Sequence, residues 1–219
     1  MNPNSKKVIL FANGDLPEPD RVLSQLSDNA FLIAVDGGLN HMAQLGLTPD
    51  LIIGDLDSAD QKHIDRFRAD GVQIQKHPED KDQTDLEIAL EAAQAMNPAV
   101  ILVMAALGNR LDQTLANVFL LTQSKFSRAN IRLVDGEQEV FLIRSQGEIH
   151  GKPGERVSLL PLCEPAKGIH TEGLKFSLDG ETLYPDQTRG ISNQMTANYS
   201  KISLSEGLLL CIHEYYQPS

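Results

Sequence analysis

Cysteine is scarce: two in 219 residues, Cys163 and Cys211, too far apart for a CxxC pair. That excludes a disulfide framework and argues against zinc; both read as ordinary buried thiols in a reducing compartment. The histidines form no HxH or HExxH pattern, and no Ser-His-Asp or Cys-His arrangement can be built from them. Neither GxxxxGK[ST] nor GxGxxG occurs, so any handling of phosphate has to rest on carboxylates and metal rather than on a glycine cradle. No apolar run approaches the ~20 residues of a membrane span. The first residues, MNPNSKKVIL, have no apolar stretch between the lysines and the first strand, so no signal peptide is expected. Positive charge is also short, with 19 Lys and Arg against 30 Asp and Glu and a net charge of −11. An acidic surface disfavours unspecific binding to nucleic acid or anionic membrane. The expectation is a cytoplasmic protein with neither as a partner. A nucleotide is not excluded, because local Lys, Arg and Mg²⁺ can reverse the field within a site.

What the chain does have is alternation. Strand-like apolar runs at 7–12, 31–36, 51–54, 72–75, 99–106 and 131–135 are separated by amphipathic stretches near 19–28, 38–46, 59–70, 84–96 and 112–125. This βαβ texture predicts a mainly parallel sheet flanked by helices. AVILVMAA (99–106) is apolar at nearly every position, as befits a strand buried on both faces. After about Glu137 only short segments remain, broken by Gly, Pro, Asp and Asn, which reads as a small antiparallel β-sandwich or barrel. The expected fold class is therefore α/β with a C-terminal antiparallel β domain, divided as residues 1–137 and 138–219.

Acids gather where the apolar runs end: Asp36 in VDGG, Asp55 and Asp57 in GDLDS, Asp82 and Asp85 in DQTD, Asp112 in GNRLD. In an open parallel sheet the carboxyl ends of the strands lie along one edge, where ligands bind. Carboxylates collected there repel one another unless a cation lies between them, and hard oxygen ligands suit Mg²⁺. Chemistry on a metal-bound polyphosphate follows. Each motif also has a plainer reading. Ser58 with Gln61, and Thr84 with Glu87, match the helix capping box, so Asp57 and Asp85 are also explained as acids beside helix N-termini. Asp55 has no such explanation. Lys81, among Glu79, Asp80 and Asp82, is either a cation facing phosphate or part of a solvated, charge-balanced loop. In GNRLDQ, Arg110 can fork onto phosphate oxygens or pair with Asp112, which itself can act as an N-cap. VDGG and Asn13-Gly14-Asp15 are accounted for equally well by turn chemistry.

Taken in order, VDGG, GDLDS, KDQTD, GNRLDQ, TEGLKFSL (171–178) and RGISN (189–193) resemble the thiamine pyrophosphokinase family from about Ile9 to Ile212. The resemblance implies an α/β domain followed by a β-sandwich. It implies transfer of a pyrophosphoryl group from ATP to the hydroxyethyl oxygen of thiamine, giving thiamine diphosphate and AMP. It implies that Asp55, Asp57 and Asp85 hold Mg²⁺ with Asp36 nearby, and that Asp55, Asp57, Asp85, Arg110 and Asp112 serve catalysis. Lys81, Asp82, Gln83, Thr84 and Arg110 would face the nucleotide, and Ser192 and Asn193 thiamine. It further implies a homodimer whose active sites lie at the subunit interface. The chain departs from the family pattern twice: Asn109 replaces the second glycine before Arg110, and there is no Trp to stack on thiamine, leaving Tyr199, Tyr215 or Tyr216. Rival readings keep the chemistry on another heterocyclic alcohol such as a hydroxymethylpterin, make DLDS a phosphatase motif, or leave a nucleotide- or thiamine-binding module without turnover.

Overall fold

The structure is a computed structural model that describes residues 7–27, 29–78, 80–108 and 110–215. Glu79, Asn109 and Tyr216, each named above, lie outside the described residues. Two compact units divide the chain, Met1–Gly136 and Glu137–Ser219.

The first unit alternates β1 (Lys7–Phe11), α1 (Pro19–Gln25), β2 (Phe31–Val35), α2 (Gly38–Gln44), β3 (Leu51–Gly54), α3 (Gln61–Ala69), β4 (Gln73–Lys76), α4 (Asp85–Ala95), β5 (Val100–Met104), α5 (Leu111–Leu120) and β6 (Ile131–Val134). Its strands run in the order β6-β5-β1-β2-β3-β4, every neighbouring pair parallel. Strands that helices cover on both faces have no polar side to keep, so β1 carries Val8, Ile9, Leu10 and Phe11 at 0% exposure. On one face the core joins Ile9 and Phe11 to Val22 of α1, Leu39 and Met42 of α2, and Ile64 and Phe67 of α3. From β1 the chain steps outward through β2 and β3 to β4, then returns by α4 to β5 on the other side of β1. That reversal is where open α/β sheets hold ligands, just beyond the carboxyl ends of the strands.

The second unit holds β7 (Gln138–Ile143), β8 (Gln146–His150), β9 (Arg156–Pro161), β10 (Ala166–Glu172), β11 (Asp179–Leu183), β12 (Asn193–Gln194), β13 (Tyr199–Ser203) and β14 (Leu209–Glu214). They form antiparallel sheets ordered β12-β9-β14-β7 and β11-β10-β13-β8. Phe141, Val157, Leu159, Leu209 and Cys211 of one sheet share a core with Ile149, Ile169, Leu183 and Ile202 of the other. This is a sandwich, and the fold class expected from the sequence is the one observed.

Several local expectations need correction. Ser58 does not cap α3; Asp60 does, its carboxylate accepting from Lys62 N at 3.0 Å. The Ser58 hydroxyl is already engaged, donating to Asp57 Oδ1 at 2.9 Å. Thr84 does cap α4, accepting from Glu87 N at 3.2 Å. The N-cap of α5 is Arg110 rather than Asp112, which sits in the first turn. The helix pattern near 19–28 stops at Gln25, because Leu26 turns extended. Cys163 is exposed, in a left-handed turn at φ 65°, and only Cys211 is buried. Among the described residues no helix is long and apolar enough to cross a membrane.

Candidate functional site

The loops at the carboxyl ends of β1, β2, β3 and β5 are pressed together. A Cβ on Gly38 would lie 1.8 Å from the Phe11 carbonyl oxygen, so α2 starts directly against the end of β1. Gly54, at φ 150°, brings β3 so near β2 that a Cβ there would lie 3.1 Å from Asp36 Cα. The β1 loop is tied to its neighbours by Gly14 N donating to Ala105 O at 2.7 Å and by His41 Nε2 lying 2.8 Å from Gly14 O. Asp36 itself adopts φ 48°, a conformation that ends β2 abruptly at this rim.

Close packing of the backbones gathers the acids. One carboxylate oxygen from each of Asp36, Asp55 and Asp57 lies within 4.8 Å of the others. Asp55 Oδ1 accepts from Asp57 N at 3.0 Å, and Ser58 Oγ donates to Asp57 Oδ1 at 2.9 Å. Asn40 of α2 clamps the outer side of the turn: its Nδ2 donates to Ser58 O at 3.1 Å and its Oδ1 accepts from Asp60 N at 2.9 Å. Asp36 Oδ1 is buried and has no hydrogen-bond partner among the described residues. Burial pushes the Asp36 carboxyl above its ordinary value against hydrogen bonds from Gly37 and Ser58, and the charges of Asp55 and Asp57 add to the rise. Three converging carboxylates, one with a desolvated and unsatisfied oxygen, form a hard-oxygen donor set that fits Mg²⁺.

Asp85 is not part of that trio; Lys81 links it to the edge of the cluster. The ammonium lies 3.2 Å from Asp85 Oδ1 and 3.9 Å from Asp55 Oδ2, and donates to Pro78 O at 2.8 Å. All three charged groups are largely shielded, with side-chain exposures of 14–18%. Thr84 caps the helix that starts at Asp85, while Gln83 Nε2 donates to Glu91 at 2.9 Å and Asp82 is exposed. Arg110 and Asp112 engage each other, Nη2 to Oδ2 at 2.5 Å, at 67% and 68% exposure. That pair holds the Arg110 guanidinium above its ordinary value and the Asp112 carboxyl below.

In the second unit, Ser192 stands at φ 58° with its amide donating to Ser158 Oγ at 3.0 Å. The Asn193 side chain straps a neighbouring backbone: Oδ1 accepts from Phe176 N at 3.0 Å and Nδ2 donates to Phe176 O at 2.7 Å. Tyr199 OH donates to Glu148 at 3.0 Å, and Tyr215 packs edge-on to His213 at 5.2 Å.

Sequence reasoning missed Asn40, the bond from Ser58 to Asp57, and His77. The His77 amide donates to Gly54 O at 3.0 Å, and its Nε2 is buried without a hydrogen-bond partner among the described residues. A polar side chain in the turn after VDGG was the one available signal for Asn40. Nothing in the local pattern around His77 marks it.

Known proteins were compared with the chain. A family model described as "Thiamin pyrophosphokinase, catalytic domain" matches residues 23–133, and "Thiamin pyrophosphokinase, vitamin B1 binding domain" matches 143–209. A thiamine pyrophosphokinase of Bacillus subtilis (strain 168) is 26% identical over 187 residues, covering 84% of this chain and 87% of that protein. Thiamine pyrophosphokinase 1 of Oryza sativa subsp. japonica is 27% identical over 202 residues, 80% of this chain and 75% of that one. In three dimensions the chain is similar to a crystal structure of the Bacillus subtilis protein, with a TM-score of 0.86 at 24% identity over 97% of this chain and 100% of that chain. A thiamin pyrophosphokinase from Candida albicans gives 0.80 at 16% identity over 97% and 90%. At such identities the structural likeness speaks for the fold alone.

Proposed function

Because the chain belongs to the thiamine pyrophosphokinase family, we propose that it transfers the pyrophosphoryl group of ATP to the hydroxyethyl oxygen of thiamine, forming thiamine diphosphate and AMP. The observation that carries this reading is the convergence of Asp36, Asp55 and Asp57 at the sheet rim, with an unsatisfied buried oxygen among them. These three hold Mg²⁺, and Asp85 is the fourth carboxylate at that edge. Bound there, Mg²⁺ supplies neutralisation of the triphosphate charge.

The chain's own residues do the rest. Lys81, shared between Asp55 and Asp85, is a cation for a phosphate oxygen. Arg110 is paired only to an exposed acid, an interaction of little strength, so a phosphate can displace Asp112 and take the guanidinium fork. Asp82, Gln83, Thr84 and Asp112 border the nucleotide. Ser192 and Asn193, from the second unit, face thiamine. The hydroxyl oxygen of thiamine attacks the β-phosphorus in line, the bond from that phosphorus to the α-phosphate bridging oxygen breaks, and AMP departs. The hydroxyl proton passes to a carboxylate of the set. Positioning and charge neutralisation dominate such a displacement.

We assign residues 1–137 to ATP and Mg²⁺ and 138–219 to thiamine and dimerisation, with the cytoplasm as the setting. A homodimer is supported by α5, which buries only Val118 and leaves Leu111, Leu115 and Phe119 exposed at 67%, 46% and 47%. Spaced four apart, these three form an apolar stripe that begins in the turn holding Arg110 and Asp112. A second copy covering that stripe puts the active site at the subunit interface.

The test supplies ATP, Mg²⁺ and either thiamine or a hydroxymethylpterin, and identifies products. AMP and thiamine diphosphate in equal amounts support the proposal. AMP with the pterin alone moves the acceptor, inorganic phosphate without an acceptor makes the protein a hydrolase, and binding without product makes it a binding module. Asp57→Asn should abolish turnover and, since Asp57 is exposed, barely move the thermal midpoint.

A further inference from the structure

The second unit buries an ionic group that the proposed chemistry does not use. His213 of β14 is 0% exposed, and both ring nitrogens meet carboxylates: Nδ1 lies 3.2 Å from Glu139 Oε1 of β7 and Nε2 lies 2.8 Å from Glu155 Oε2. Glu139 and Glu155 are themselves 8% and 6% exposed. A neutral imidazole has one N–H and would leave one of these contacts as acceptor against acceptor when both carboxylates are ionised, so two ionised glutamates call for the imidazolium. Glycine is required beside it. A Cβ on Gly151 would lie 2.1 Å from Glu155 Oε2 and 2.9 Å from His213 Nε2.

Glu155 connects this group to the segment carrying Ser192 and Asn193. Its carboxylate accepts from Lys152 N at 2.9 Å, which folds residues 151–155 around it. Its carbonyl accepts from Met195 N at 2.9 Å, and Gly154 N returns a bond to Met195 O at 2.8 Å. The next residues of β9 pair with β12, Arg156 with Gln194 and Val157 with Asn193, and Ser158 Oγ accepts from the Ser192 amide. Strand β12 has two residues, so it owes its place to these anchors rather than to its own length. Ser192 needs them most, since a left-handed non-glycine backbone persists only where its surroundings hold it.

We propose that His213, as an imidazolium held between Glu139 and Glu155, is a positioning residue for the thiamine-facing segment at Ser192 and Asn193, and that its loss of a proton loosens that segment without touching the nucleotide side. The inference rests on the functional reading above. Burial alone would lower the His213 pKa, but the hydrogen bonds and charges of Glu139 and Glu155 outweigh it and raise the value above its ordinary 6.5. With a raised folded value, the contribution is complete below 6.5 and is lost as pH rises through that folded value. The phenol of Tyr215 stands edge-on to the ring at 5.2 Å, and the next residues along β14 and β9, Glu214 and Arg156, pair with each other at 2.7 Å. A cleft of about 600 Å³ lined by Glu137, Glu155, Arg156, Glu214 and Tyr215 opens beside Glu155.

The test uses the full-length protein from about pH 6 to about pH 8.5, the range in which a raised histidine titrates. Steady-state kinetics and amide hydrogen exchange are followed in the wild type, in Glu139→Gln, which leaves the 151–155 turn intact, and in His213→Gln. The expected result is a thiamine KM that rises at least about threefold with pH, while the ATP KM and kcat at saturating thiamine hold. Protection of the Lys152 and Met195 amides should fall over the same range relative to core amides of β9. Both transitions should move to lower pH in Glu139→Gln, and His213→Gln should show the weakened thiamine KM at every pH. Protection of these amides, relative to the β9 core, that does not change with pH, or a rise of both KM values together, overturns the inference; the exchange experiment needs no variant to fold. Failure of the wild type to turn over thiamine at any pH overturns the functional reading and takes this assignment with it.

Discussion

Replacing Asp36 by Asn should make the protein more stable and at the same time remove its response to Mg²⁺. Asp36 is half-buried, one of its oxygens has no hydrogen-bond partner among the described residues, and oxygens of Asp55 and Asp57 lie within 4.8 Å. At that distance two unit charges repel by about 3 kcal/mol at an effective dielectric constant of about 20, and by under about 1 kcal/mol in bulk water. Asp57 is exposed and Asp36 half-exposed, so screening brings the net gain to about 1–2 kcal/mol. The sign follows from the proton balance. The Asp36 pKa is raised above 3.8, so the folded state holds its proton more tightly than the unfolded state, and ionisation costs stability at every pH above the folded value. Asn cannot ionise, still accepts from the Gly37 amide, and offers an N–H to Asp55 or Asp57. For a chain of this size about 2–4 °C per kcal/mol is expected, so the metal-free thermal midpoint should rise by about 2–8 °C near pH 7. The assay is a thermal melt with and without millimolar Mg²⁺: the wild type gains on adding Mg²⁺, the variant does not, and the difference between the metal-free midpoints shrinks as pH falls through the raised Asp36 value and is gone below 3.8. A metal-free midpoint at or below that of the wild type, or an undiminished response to Mg²⁺, would refute the reasoning.

Asn40→Ala removes two hydrogen bonds that clamp the turn carrying Asp57 and Ser58, each bond contributing about 1 kcal/mol. Mg²⁺ affinity, measured by titration calorimetry, should weaken by about tenfold, while the exposed turn melts with the rest of the fold; unchanged affinity means the turn keeps its shape without the clamp. Leu115→Asp puts a charge in the middle of the apolar stripe on α5, and sedimentation at micromolar concentration should then show monomer where the wild type shows dimer. A dimer that survives Leu115→Asp places the subunit contact elsewhere.

The inner strands β1, β3 and β5 were legible because parallel strands covered on both faces have to be apolar, whereas the edge strand β4, QIQK, is largely exposed. The gathering of Asp36, Asp55 and Asp57 was legible for a related reason: loops at the carboxyl ends of neighbouring parallel strands have to meet. Partner choice within the rim was not. Ser58 looked like a helix cap because its spacing to Gln61 fits, yet Asp57 engages its hydroxyl and Asp60 takes the cap instead. Asp85 looked equivalent to Asp55 and Asp57, and whether Lys81 reaches it depends on how β4 and α4 are spaced, which no local pattern encodes. The group of Glu139, His213 and Glu155 was invisible for the same reason, since its members are 74 and 58 residues apart and meet only through sheet register.

The thiol of Cys163 stands on the surface while that of Cys211 is sealed in the sandwich core. A maleimide dye will therefore mark a single place on each chain without any engineering. The same exposure makes air a hazard: two chains can be joined through Cys163 in unreduced buffer, giving a covalent pair that owes nothing to α5. Association measurements on this protein belong in reducing conditions or in a Cys163→Ser background.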